Sequence, residues 1–273
     1  MDRNRILVTG CRGGAAGSGA LHLGIRHPDV FNLVITGHPV IDYAAASRRT
    51  DRWARPLALS MQAVWGQADW NMKAEDGGSF WDRHNMIRAV KSLRPAADLP
   101  FITMTSNHGD ADSRKFYELM LNRHAALMAE FSWGGTRYVP VSNTATFPNV
   151  IRLDIRKDKA YLACVSAGGM QLVTGGKMGD FNRHFRWRDV VDDGAKFEAT
   201  LFLRGRGDST ADVAPRRLQR FKLLKGRTYA WSTKTTGRKG EPVEQTGEVQ
   251  AEHNGVLTIP GVNIGGPLVV TAK

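Results

Sequence analysis

Two side chains near the N-terminus have the chemistry of nucleophiles, and both sit among small residues. The segment Ile6-Leu-Val-Thr-Gly-Cys-Arg-Gly-Gly-Ala-Ala-Gly-Ser-Gly-Ala-Leu21 holds Cys11 and Ser18. A strand, a glycine turn and a helix suit a nucleophile elbow, where small neighbours let a strained side chain project above a sheet. They also suit a dinucleotide site, where glycines let a pyrophosphate approach a helix N-terminus. Ser18 is the only hydroxyl of the turn and has small flanks, whereas counting forward from the strand reaches Cys11. Serine also caps helices, so a purely structural role is the alternative. A proton acceptor and an orienting acid must come from elsewhere. His108 and Asp110, in Ser106-Asn-His-Gly-Asp110, offer both, with His38 and His27 as further imidazoles and Asp112 as a second acid or a helix cap.

The dinucleotide alternative fits less well. Thr9-Gly10-x-x-Gly13 is in place, but Gly17 falls one position late and Asp42 is far from the turn. No Tyr-x-x-x-Lys occurs. His22, His27, His38 and His108 do not pair with carboxylates at metal-ligand spacing on one helix, and there is no His-Glu-x-x-His. Neither a cofactor nor a metal is expected.

These residues need elements to hold them. Arg5–Thr9 reads as an apolar strand, Gly10 to Gly19 as a turn, Ala20–Arg26 as a helix stopped by Pro28, and Asn32–Thr36 as a second strand. That is a βαβ unit and implies a parallel sheet. A long helical stretch follows from Tyr43 to about Gln67, then a helix capped by Ser79, with Asp82 three residues on, running to Arg94. Trp53, Trp65, Trp70, Phe80 and Trp81 fall in this region, as core or as the apolar wall of a cleft. Phe101–Thr105 is a third strand, Arg114 to Ala125 a helix and Ala126–Ser132 a fourth strand. From Ile151 the apolar period becomes two. Strands are expected at 151–155, 160–164, 184–187, 197–203, 228–233, 244–251, 256–259 and 268–271, the pattern of an antiparallel sandwich.

Three segments, in order, resemble α/β-hydrolases of the esterase and prolyl-oligopeptidase type. Gly19-Ala-Leu-His-Leu-Gly-Ile-Arg-His-Pro-Asp-Val-Phe-Asn-Leu-Val-Ile-Thr-Gly-His-Pro-Val-Ile-Asp42 is similar to the elbow helix and the next strand. Leu99-Pro-Phe-Ile-Thr-Met-Thr-Ser-Asn-His-Gly-Asp110 is similar to the strand and loop that deliver the triad acid, and Glu130-Phe-Ser-Trp-Gly-Gly135 to the last strand before the histidine loop. The resemblance spans about residues 5–140, and the rest resembles the β-sandwich attached to some bacterial members. It implies hydrolysis of a carboxylic ester or related acyl bond, with Ser18 attacking and Cys11 as the alternative nucleophile, His108 as base and Asp110 as orienting acid. Two departures stand out. The family's strands before the nucleophile strand have no counterpart upstream of residue 5, and Thr136 occupies the place of its histidine. A catalytically degenerate binding or scaffold protein is the alternative reading.

The implied fold class is α/β: a partial hydrolase-type parallel sheet with helices on both faces over 1–150, followed by a β-sandwich domain over 151–273. Composition agrees with a globular chain. The 273 residues are 42% hydrophobic, and no stretch approaches the roughly 20 apolar residues of a spanning helix. The first 20 residues contain no secretory apolar core, so a cytoplasmic location is the default expectation. Cys11 and Cys164 form neither a disulfide framework nor a zinc pattern. The formal charge is +12, split as +4 over 1–150 and +8 over 151–273, which favours anionic substrates or surfaces. No run of five basic residues marks a nucleic-acid tail. Because Arg5–Thr9 would be left as an apolar sheet edge, a homo-oligomer is also expected.

Overall fold

The computed structural model describes residues 2–10, 15–50, 55–70, 72–73, 75, 77–93, 99–107, 111–132, 153–165, 179–182, 185–203, 210–237, 239–252 and 255–273. Four strands, β1 (Leu7–Gly10), β2 (Leu33–Gly37), β3 (Phe101–Asn107) and β4 (Leu127–Ser132), lie side by side in chain order and run parallel. The helices between them are α1 (Ala15–Arg26), α2 (Tyr43–Ser47), α3 (Arg55–Trp65), α4 (Phe80–Arg83), α5 (Met86–Ser92) and α6 (Ala111–Asn122). When successive parallel strands are neighbours, right-handed crossovers all fall on one face. The alternation of side chains confirms it here. Val34, Ile102, Met104, Leu127 and Ala129 pack with Leu21 and Ile25 of α1, Val90 of α5 and Phe116 and Met120 of α6. The opposite alternates, Leu33, Ile35, Phe101, Ala126 and Met128, pack on Ile155, Tyr161, Ala163, Val165 and Ala214. The expected helices on both faces are therefore corrected: one face carries helices, the other carries β-structure.

Helix α1 begins at Ala15, inside the segment expected to be turn. Two of its glycines serve close packing. A Cβ at Gly17 would overlap the carbonyl of Gly37, and one at Gly24 would overlap Val34, so α1 lies directly on β2. The helical stretch expected over Tyr43–Gln67 appears as α2 and α3. Asp42 caps α2 by accepting from the Ala45 N–H at 3.0 Å. Ser79 caps α4 as read, accepting from the Asp82 N–H, but α4 ends at Arg83, and Asn85 caps α5 anew by accepting from the Arg88 N–H at 3.0 Å.

The second half forms two antiparallel sheets. One has the order β12 (Ile259–Asn263), β9 (Thr210–Arg216), β5 (Tyr161–Cys164). The other has the order β11 (Pro242–Gln250), β10 (Thr228–Thr236), β13 (Pro267–Ala272), β8 (Lys196–Leu203), β7 (Phe185–Asp192). Leu162, Val213, Ile259, Phe197, Leu201, Tyr229 and Val270 are buried between them. Helices, parallel sheet, three-stranded sheet and five-stranded sheet thus stack as four layers. The strand expected at 151–155 is not formed over 153–155, and Ile155 instead plugs the core between layers. A short strand, β6 (Gly179–Phe181), returns to the first sheet and pairs antiparallel with β4. Side chains tie the halves together: Arg216 donates to the His124 carbonyl, Arg217 to that of Pro28 at 3.2 Å, and Asn182 to that of Leu127 at 3.0 Å.

Candidate functional site

In a parallel sheet all carboxyl ends share one edge, and ligands bind in the loops beyond it. Residues 11–14 follow β1, Gly37–Asp42 connects β2 to α2, residues 108–110 follow β3, and the chain from 133 follows β4. Cys11, His108, Asp110 and Thr136 lie outside the described residues, but the strands they follow are fixed. With about 4.8 Å between strands, the ends of β1 and β3 are roughly 10 Å apart with β2 between them. His38 directly follows β2 in the left-handed region, φ 48°, and its N–H donates to the Thr105 carbonyl at 2.7 Å. It stands at the carboxyl edge. His27 terminates α1 at the opposite edge, where its carbonyl accepts from Val30 and Phe31. Asp112 lies in the first turn of α6.

Ser18 lies within α1, not in a turn as expected. It is fully buried, and its Oγ accepts from the Val40 N–H at 2.7 Å. It also hydrogen-bonds the Tyr43 phenol. One hydroxyl thus fastens α1 to the loop after β2 and to α2.

One turn further along α1, His22 enters a cluster of rings. It meets Tyr43 edge-on at 5.2 Å and His84 at 5.3 Å. Tyr43, Trp65 and His84 stack with centroids 5.4 Å apart, and Phe80 reaches His84 at 4.7 Å. Trp81 is buried beside them and Trp65 half-buried, so these two serve as core, whereas Trp70 is 64% exposed; Trp53 is outside the described residues. Burial above all, then the charges of His84 and Arg26, push the His22 imidazole down to about 4, against a hydrogen bond with the His84 backbone. His22 Nε2 is buried without a partner. His84 is lowered too, by burial and then by Arg26 and Arg83. Both rings are neutral near pH 7. The sequence reading missed His84; its only local signal was its position five residues after the Ser79 cap.

Among the described residues, no three His, Cys, Asp or Glu side chains group to hold a metal. The acid required by a dinucleotide reading is spent: Asp42 accepts from the Ala45 N–H through Oδ1 and from Asn85 Nδ2 through Oδ2 at 2.7 Å. Gly17 is used for helix packing and lies inside α1. No protein-family model matches the chain, and no curated protein matches it significantly.

Proposed function

We propose that the protein hydrolyses a carboxylic ester or related acyl bond at the carboxyl edge of β1–β4, with Cys11 as nucleophile. The observation that supports this most is the strand order. Four parallel strands in sequence end at one edge, and Cys11, His38, His108 and Asp110 each follow one of those strand ends within three residues of the sequence. Ser18 is enclosed and its hydroxyl engaged, which favours Cys11 of the two candidates. In this reading His108 takes the thiol proton and Asp110 orients the imidazole. The thiolate adds to the carbonyl carbon, the alkoxide leaves with the proton from the imidazolium, and water releases the acid from the thioester. The N-terminus of α1 follows within four residues and favours the thiolate and the oxyanion.

Turnover of p-nitrophenyl esters tests it. The wild type and Ser18→Ala are expected to turn over, and Cys11→Ala to lose at least about a hundredfold. An inactive wild type contradicts the reading. The burial of Ser18 and the presence of Thr136 at the family's histidine position favour a second reading, a hydrolase-like scaffold that binds without turnover. Self-association through β1 belongs to the first proposal. Among the described residues that strand pairs with β2 alone, and Leu7 on it is 39% exposed. A species of monomer mass in sedimentation at low and high salt rules it out.

A further inference from the structure

The region from Arg216 to Arg227 contains six basic residues and no acidic one. Two of the six are spent inside the fold, Arg216 on the His124 carbonyl and Arg217 on that of Pro28. Arg220, Lys222, Lys225 and Arg227 are exposed. Lys222 donates to the Gln219 carbonyl at 2.7 Å, and Arg227 donates to the terminal oxygen of Lys273 through Nη2 at 2.9 Å and Nε at 3.2 Å. Among the described residues, Arg220, Lys222 and Lys225 are not paired with a carboxylate, whereas Arg227 is held by that terminal oxygen through both nitrogens. The nearby carboxylate of Asp192 is taken up by backbone N–H groups of Gln219, Arg220 and Phe221, at 2.5, 3.2 and 2.6 Å.

The backbone of this loop is held firmly. Phe221 is buried as an anchor. The Tyr229 hydroxyl accepts from the Leu224 N–H at 2.7 Å and donates to the Lys222 carbonyl at 3.0 Å. Gly226 and Arg227 exchange backbone hydrogen bonds with Ala251, both at 3.0 Å. A loop already ordered loses little entropy on binding. Between Lys222 and Lys225, Leu224 is 52% exposed, while Leu223 packs inward. A leucine set among cations suits a surface that is anionic at its face and apolar just beneath. It suits a polar acidic polymer poorly, since the leucine would gain no partner there.

We propose that this loop is a docking site for an anionic lipid bilayer, with Arg220, Lys222 and Lys225 on the headgroups and Leu224 entering between them. The site is remote from the carboxyl edge: Arg217 reaches Pro28, at the opposite edge of the parallel sheet. The proposal therefore stands independently of the hydrolase reading.

The experiment is flotation of the full chain with vesicles of phosphatidylcholine containing about a third phosphatidylserine, against phosphatidylcholine alone. Each cation at such a surface multiplies partitioning roughly fivefold, so Lys222→Glu/Lys225→Glu is expected to lose at least about 25-fold. Leu224→Ser is expected to lose roughly three- to tenfold, and binding falls as salt rises. Arg220→Glu provides a second charge reversal, and unchanged melting of each variant shows that the fold is intact. Equal partitioning to the neutral vesicles overturns the proposal, as does wild-type partitioning by Lys222→Glu/Lys225→Glu. Heparin binding by the wild type, with Leu224→Ser matching it on both heparin and vesicles, also overturns it and assigns the loop to an acidic polymer.

Discussion

Acidification should unlock the ring cluster on α1, and His22 sets the size of the effect. Its imidazole is lowered to about 4 in the folded chain, against about 6.5 when unfolded. A depressed histidine pKa means that the unfolded chain takes the proton first. Stability is therefore complete above pH 6.5 and is lost as the pH falls toward 4. Integrating the two titrations from pH 7 to pH 4 gives a loss of about 3 kcal/mol from this one side chain. His84, lowered by the same burial, adds in the same direction. For a chain of this size that loss moves the Tm by roughly 6–12 °C. Carboxylates also destabilise the fold in acid, so the assay is a comparison. The Tm of the wild type and of His22→Phe is followed from pH 7 to pH 4. The variant keeps a planar ring in the stack and has nothing to titrate there. Its stability should fall less steeply, with a gap that grows by about 3 kcal/mol across the window. Two parallel curves would refute the burial argument.

Other consequences follow from single contacts. Ser18→Ala leaves the Val40 N–H without its acceptor and should cost about 1–2 kcal/mol, read as a lower Tm. Gly17→Ala forces a Cβ onto the Gly37 carbonyl and should destabilise by about 1–3 kcal/mol or more, seen in denaturant melts. Asp192→Ala strips the acceptor from three loop amides; hydrogen exchange at residues 219–221 should accelerate, with a stability loss of about 1–2 kcal/mol.

What the sequence disclosed depended on whether the information was local. The alternation of apolar runs and helices placed β2, β3 and β4 to within a residue or two, and the Ser79 cap was read correctly because a cap is a four-residue event. Helix α1 was begun too late because Ala15-Ala-Gly-Ser-Gly19 has the composition of a turn. Gly17 answers to β2, which comes later in the chain, and with Gly24 it lets the helix lie against Gly37 and Val34. The same distance hid the enclosure of Ser18, whose partner Val40 is 22 residues away. Strand β9 went unread because Asp212 and Pro215 interrupt its pattern, although it is the central strand of its sheet. Helices on both faces were expected from the βαβ pattern alone. That pattern does not state whether successive strands are neighbours, and the neighbour order decides the face.

The proposed hydrolysis passes through an acyl transfer to Cys11, which follows β1 in the sequence. Its most direct test is mass spectrometry of the protein quenched during turnover of p-nitrophenyl acetate, followed by peptide mapping. One acetyl group, on Cys11, is expected in the wild type and in Ser18→Ala alike. An acetyl group on Ser18, or a folded protein that releases no nitrophenol and carries no acetyl group, would contradict it.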